Sequence, residues 1–172
     1  YTKKIIESEK HLIINNGIDL SKFSFNKKIR KIERQKLGFN DEQIILGCVG
    51  RFIDSKNQIF CLSVLQELLK YPIYHLLLIG DGPTKNIIKK KIMRLQLEQK
   101  VSILDATEEI GKYYQCMDFF IFPSLFEGLG MAVIEAQISG LPCIIFENLP
   151  KELNISDHIY RMYTTSTAKE WA

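Results

Sequence analysis

The sequence holds no C-x-x-C pair. Its cysteines, Cys48, Cys61, Cys116 and Cys143, stand far apart, each in an apolar stretch. That spacing excludes a zinc ribbon and a dithiol redox motif, and it reads as reduced, buried thiols in a cytosolic protein. No apolar run is long enough to span a bilayer, and no stretch reads as a signal peptide. Histidine is scarce: His11, His75 and His158 do not cluster, and no His/Cys/Asp spacing suits a metal, so no metal site is expected. The net charge is only +3, which gives no reason to expect a nucleic-acid partner. There is no G-x-x-x-x-G-K-[ST]. Gly80-Asp-Gly82 begins a dinucleotide fingerprint but lacks the third glycine, and Pro83 explains it as turn chemistry at the first helical position. P-loop hydrolysis and ordinary NAD binding are thereby set aside.

What is present is an ordinary globular composition, 46% apolar and 25% charged, in a chain long enough to bury a sizeable core. His11 to Asn15 reads as a short strand, and Asn26 to Leu37 as a charged helix capped by Gly38. An alternation follows. Strands are expected at Ile44–Gly50, His75–Gly80, Val101–Leu104, Phe119–Pro123 and Pro142–Phe146. Helices are expected at Ser55–Lys70, Thr84–Leu97, Glu108–Cys116 and Leu129–Ser139. The strands are apolar on both faces, which calls for a parallel sheet covered by helices on each side. The fold class is therefore α/β, a doubly wound, Rossmann-like parallel sheet. Residues 1–43 read as a lead-in, 44–152 as the domain proper and 153–172 as a truncated tail. The chain opens YTKKIIESEK and stops at KEWA, so it reads as a piece of a longer protein.

In such a sheet ligands bind beyond the carboxyl ends of the strands. Arg51 and Lys56 follow the first strand and open a helix, where free N–H groups and the helix dipole favour an anion. A solvated loop with two surface cations explains the same residues equally well. The stretch FEGLGMAVIEAQISGLP carries two glutamates eight residues apart, Glu127 and Glu135. Gly128 and Gly130 let a ligand approach the backbone. Glu127 lies before the helix, and Glu135 lies roughly 9 Å along it at 1.5 Å per residue. An anion at the helix N-terminus repels both, so each carboxylate is suited to hydroxyls on either side of it. Hydroxyls, then phosphates, then hydroxyls is the layout of a nucleotide sugar. Singly, each glutamate also reads as an ordinary acidic helix residue.

These pieces resemble, in order and spacing, the donor-binding C-terminal half of the two-domain GT-B retaining glycosyltransferases of family four. The matching segments are IINNGID with Phe23, VGRF-IDSKN, LLLIGDGP, DFFIFPS and EGLGMAVIEAQISGLP, and ENLPKELNIS is similar to the capsular and exopolysaccharide branch. The resemblance covers Leu12 to Glu152 and implies a set of roles. Arg51 and Lys56, following Gly50, would neutralise the donor diphosphate. Glu135 would accept from the ribose hydroxyls. Glu127, with the amides of Gly128, Leu129, Gly130 and Met131, would meet the sugar and distal phosphate. The backbone near Leu104 would hold the base, although Asp105-Ala106 stand where many relatives have glycine. Arg51, Lys56 and Glu127 are thus the catalytic candidates. The donor would be a nucleotide-diphosphate sugar of UDP type, with no cofactor and no metal. The acceptor domain of the same chain would precede this piece. Related alternatives are a GT-B nucleotide-sugar epimerase and a non-catalytic nucleotide-sugar-binding subunit.

Two helices are basic, one with Lys27, Lys28, Arg30, Lys31, Arg34 and Lys36, the other with Lys85, Lys89, Lys90, Lys91 and Arg94. A solvated face accounts for both. Contact with an anionic membrane, at the inner face of the cell membrane, is the alternative.

Overall fold

The computed structural model describes residues 17–172; the expected strand at 11–15 lies outside them, as does Asn16 of the following turn. Six strands form one parallel sheet: β1 (Ile44–Val49), β2 (Tyr74–Ile79), β3 (Val101–Leu104), β4 (Phe119–Phe122), β5 (Cys143–Phe146) and β6 (Ile159–Met162). Their order is β3-β2-β1-β4-β5-β6, the arrangement of a doubly wound Rossmann-like sheet. The order reverses between β1 and β4, the point at which a doubly wound sheet offers its ligand crevice.

Period two within the strands sends alternate residues to opposite cores. Leu46 and Cys48 of β1, with Leu76 and Leu78 of β2, join the cluster under α2 (Gln58–Leu68) and α3 (Lys85–Arg94). Ile45, Leu77 and Ile79 join the cluster under α4 (Ile110–Tyr114) and α5 (Met131–Ile138). This is why those strands read as unbroken apolar runs.

α1 (Lys27–Lys36) is fixed to the sheet by charge. Asn26 caps it, accepting from the amides of Lys28 and Ile29. Arg30 and Arg34 reach Asp118, at the start of β4, over 2.5 and 3.1 Å. Asp118 also accepts from the Ile45 amide at 2.7 Å, tying helix, β1 and β4 together.

Several elements differ from the sequence reading. The helix expected from Ser55 is interrupted: Asp54–Lys56 form a 3-10 turn, Asn57 turns left-handed at φ 54°, and α2 begins only at Gln58. α3 begins at Lys85, so Pro83 sits before the helix and not at its first position. The tail expected after residue 152 instead completes the sheet. β6 pairs with β5, and α6 (Ala168–Trp171) buries Trp171 against Phe60 and Phe146. Arg161 of β6 donates to the carbonyls of Glu147, Leu149 and Pro150, which pins the loop after β5.

All four cysteines are free and buried. Burial pushes the thiols of Cys116 and Cys143 up to about 12, so they pack as small apolar groups rather than as nucleophiles. His75 is buried beside Phe39 and bonds Ser102; burial lowers its pKa to about 4, with Lys100 adding to the effect, and it stays neutral.

Candidate functional site

A cavity of about 530 Å³ opens at the carboxyl edge, at the ends of β1 and β2. Its lining brings Gly50 and Arg51 together with Gly80, Ala106, Thr107 and Glu135.

The loop after β1 is held from three sides. Phe52 N donates to Asp81 O at 2.8 Å, and Thr84 N returns to Phe52 O at 3.1 Å. Buried Gln58 donates to Arg51 O at 3.0 Å. On the far side, Leu125 N donates to Ser55 O at 2.8 Å, and Ser124 Oγ lies 3.0 Å from the same carbonyl. The loop carrying Arg51 and Lys56 is therefore bonded to the loop that leads into α5.

That bonding seats the charged groups. Lys56 Nζ donates to Glu127 Oε1 at 2.5 Å, with the two side chains 21% and 8% exposed. The ammonium also stands 5.1 Å from the centre of the Phe122 ring. Gly130 is left-handed, φ 77°, and turns the chain into α5 with no side-chain cap. A helix start without a cap leaves its first N–H groups open to an anion. α5 begins at Met131, not Leu129, so Glu135 lies about 6 Å inside it at 1.5 Å per residue.

Glu135 shares the cavity with Arg51, and its Oε2 accepts a 2.8 Å bond from the buried Tyr114 hydroxyl. Burial raises the pKa of Glu135, and the bond from Tyr114 works against that rise. At the opposite rim Lys85 pairs with Asp81 at 3.2 Å and with Asp105. Asp81 and Asp105 are thus offset by the same cation.

The predicted residues sort plainly. Gly50, Arg51 and Glu135 line the cavity itself. Lys56 and Glu127 meet as a pair beside it, and Gly130 lies against Glu127, since a Cβ there would come within 3.7 Å of the glutamate Cγ. Gly128 is exposed and a Cβ there would meet nothing within 4 Å, so no contact among the described residues requires glycine at that position. Leu104 is engaged in the sheet: it pairs with Ile79, and its carbonyl accepts from Gly80 N at 3.0 Å. Ala106 and Thr107, further along the same loop, are the residues of that segment that reach the cavity. The sequence reading missed these two, and Ile110 and Tyr114 as well. The last two are four apart on a short helix, and that spacing was the available signal.

The chain is 35% identical over 150 residues to a putative glycosyltransferase, EpsF, of Bacillus subtilis (strain 168), covering 87% of this chain and 39% of that protein. It is 28% identical over 144 residues to the UDP-Gal:alpha-D-GlcNAc-diphosphoundecaprenol alpha-1,3-galactosyltransferase of Escherichia coli, covering 81% and 37%. Among solved structures, Anabaena Alr3699/HepE in complex with UDP and glucose superposes with a TM-score of 0.78 at 21% identity, over 92% of this chain and 44% of that one. The chain thus spans about two fifths of the length of these relatives. The fold is the Rossmann-like α/β fold of GT-B glycosyltransferases. Residues 29–158 match the family model described as "Glycosyl transferases group 1", and the chain belongs to that family.

Proposed function

We propose that this chain is the donor-binding part of a retaining glycosyltransferase of family four that takes a nucleotide-diphosphate sugar of UDP type. One observation carries the reading. The loop with Arg51 and Lys56 is hydrogen-bonded to the loop entering α5, so two cations, an uncapped helix start and two carboxylates meet at one sheet edge. Cations and helix amides suit the diphosphate, and the carboxylates flanking them suit hydroxyls.

In this reading Glu135 accepts from the ribose, and the backbone at Ala106–Thr107 meets the base. Arg51, Lys56 and the amides of Gly130 and Met131 hold the diphosphate. Glu127 meets the sugar. When the bond between the anomeric carbon and the phosphate oxygen breaks, the departing diphosphate gains charge, which the fixed cations stabilise. The acceptor hydroxyl attacks from the face that the nucleotide leaves, so configuration is retained, and its proton goes to the leaving phosphate. The acceptor is a glycan or a lipid-linked glycan of surface polysaccharide synthesis, brought by a further domain of the whole protein. The E. coli relative, named for a UDP-Gal donor and a diphosphoundecaprenol acceptor, supports the choice of both substrates.

The test is titration calorimetry with UDP. Arg51→Ala and Glu135→Ala are each expected to weaken binding about tenfold, the loss of one charge-assisted hydrogen bond. Unchanged affinity in both variants would remove the site.

Among the described residues no helix is long and apolar enough to cross a membrane. We place the chain on the cytoplasmic side, with α3 as the face turned to an anionic bilayer. α1 directs Arg30 and Arg34 inward and pairs Lys36 with Glu33. On α3, Lys89, Lys90, Lys91 and Arg94 form no ion pair among the described residues, and Ile87 and Met93 stand 53% and 64% exposed. Co-sedimentation should show binding to phosphatidylglycerol vesicles that Lys90→Glu weakens roughly fivefold or more, at about 1 kcal/mol per basic residue. Equal binding to neutral phosphatidylcholine vesicles refutes this placement.

A further inference from the structure

Glu135 shares its cavity with Arg51, yet among the described residues the two form no ion pair. The carboxylate is instead bonded by Tyr114, completely buried on α4. Its ring is fixed against Phe23 and Phe120, at centroid distances of 6.0 and 5.7 Å. Its hydroxyl has two acceptors: Glu135 Oε2 at 2.8 Å and, further off, Ala132 O at 3.2 Å. The remaining oxygen of Glu135 receives no hydrogen bond among the described residues.

We propose that Tyr114 is a positioning residue: its hydroxyl fixes one carboxylate oxygen of Glu135, so that the other is presented to the ribose diol. The inference rests on the donor-site reading above. A solely structural role would be different in kind. The Ala132 carbonyl alone would satisfy the buried hydroxyl, and the carboxylate would be incidental.

The groups facing Glu135 are Tyr114 from α4, and Arg51 and Asp81 from the loops after β1 and β2. Removing the hydroxyl takes away the one bond that lowers the pKa of Glu135 and leaves burial to raise it. Glu135 then takes up a proton at a higher pH, and ribose recognition is lost earlier on acidification.

Calorimetry with UDP and with its 2′,3′-dideoxy analogue separates the possibilities, using the parent chain, Tyr114→Phe and Glu135→Gln. Both variants keep side-chain volume, and melting curves fix an assay temperature well below the lowest transition. Tyr114→Phe is expected to bind UDP about tenfold more weakly and the dideoxy analogue as the parent does. Its UDP affinity should also fall at a higher pH than the parent's. The analogue carries the same diphosphate, so it corrects for phosphate titration. Equal losses for both ligands, or no loss for UDP, overturn the positioning role while leaving the site intact. An unaffected Glu135→Gln overturns the positioning role, and together with an unaffected Arg51→Ala it overturns the donor-site reading as well.

Discussion

A Lys56→Ala variant should bind UDP about a hundredfold more weakly, the largest single loss at this site. Lys56 is in contact with a nearly buried carboxylate, Glu127, at 2.5 Å. Truncating one member of a buried, hydrogen-bonded charge pair costs roughly 2–5 kcal/mol, much of it from the charge left behind. A hundredfold corresponds to about 2.8 kcal/mol. Two effects add here. The diphosphate loses a cation, and it meets a carboxylate that no longer has a counter-charge. Arg51 is exposed and among the described residues has no such dependent partner, so its removal costs less. The stranded carboxylate fixes a sign for the double variant. Lys56→Ala/Glu127→Ala removes the stranded charge and should regain about tenfold in UDP affinity over Lys56→Ala. Calorimetry showing the single and double variants equal would mean that Glu127 does not feel the diphosphate.

The pairing also implies an order of events. In the ligand-free protein Glu127 is occupied by Lys56 and is poorly available to a sugar hydroxyl. A diphosphate that draws the ammonium toward itself frees the carboxylate. On the proposed donor-site reading sugar recognition follows nucleotide binding, and a free monosaccharide should have little affinity on its own.

How far this was legible in the sequence depended on the range of each interaction. The strands IILGCV, HLLLI, FFIF and CIIF are covered on both faces, so their apolar runs announce them. β6 was missed because IYRM is an edge strand with Arg161 directed at the carbonyls of a loop, and half-polar edges resemble tails. The break at Asn57 was missed because helical spacing in the residues after it continues backward without a visible stop. The strand-end rule pointed to Arg51 and Glu127, and the spacing of the two glutamates pointed to Glu135; Arg51 and Glu135 line the cavity, and Glu127 stands beside it against Lys56. What no local pattern could give was who touches whom. Lys56 and Glu127 are 71 residues apart, and Tyr114 and Glu135 are 21 apart. Those contacts are set by how the crossovers pack. They decide whether a carboxylate is free, paired or held in place.

Gly80→Ala should lower the melting temperature by roughly 10 °C and weaken UDP binding together with it. The Gly80-Asp-Gly82 turn resembles a phosphate loop in sequence, but its glycines serve backbone contact. A Cβ on Gly80 would lie 2.0 Å from the Gly50 carbonyl oxygen and 3.0 Å from its carbon. Neither atom belongs to a flexible side chain. The residue also holds φ at +151°, which an L side chain tolerates poorly. Overpacking costs about 1–3 kcal/mol and backbone strain a similar amount, so about 4 kcal/mol is expected. At about 2–4 °C per kcal/mol for a domain of this size, that is a drop of roughly 10 °C. The atom displaced is in the residue preceding Arg51, so the site moves with the backbone. Gly128→Ala is the control, because a Cβ there meets nothing within 4 Å. It should leave the melting temperature within about 2 °C of the parent, a surface substitution of under roughly 0.5 kcal/mol. If Gly80→Ala melts like Gly128→Ala, the two loops are not in backbone contact, and the geometry that places Arg51 at the cavity is wrong.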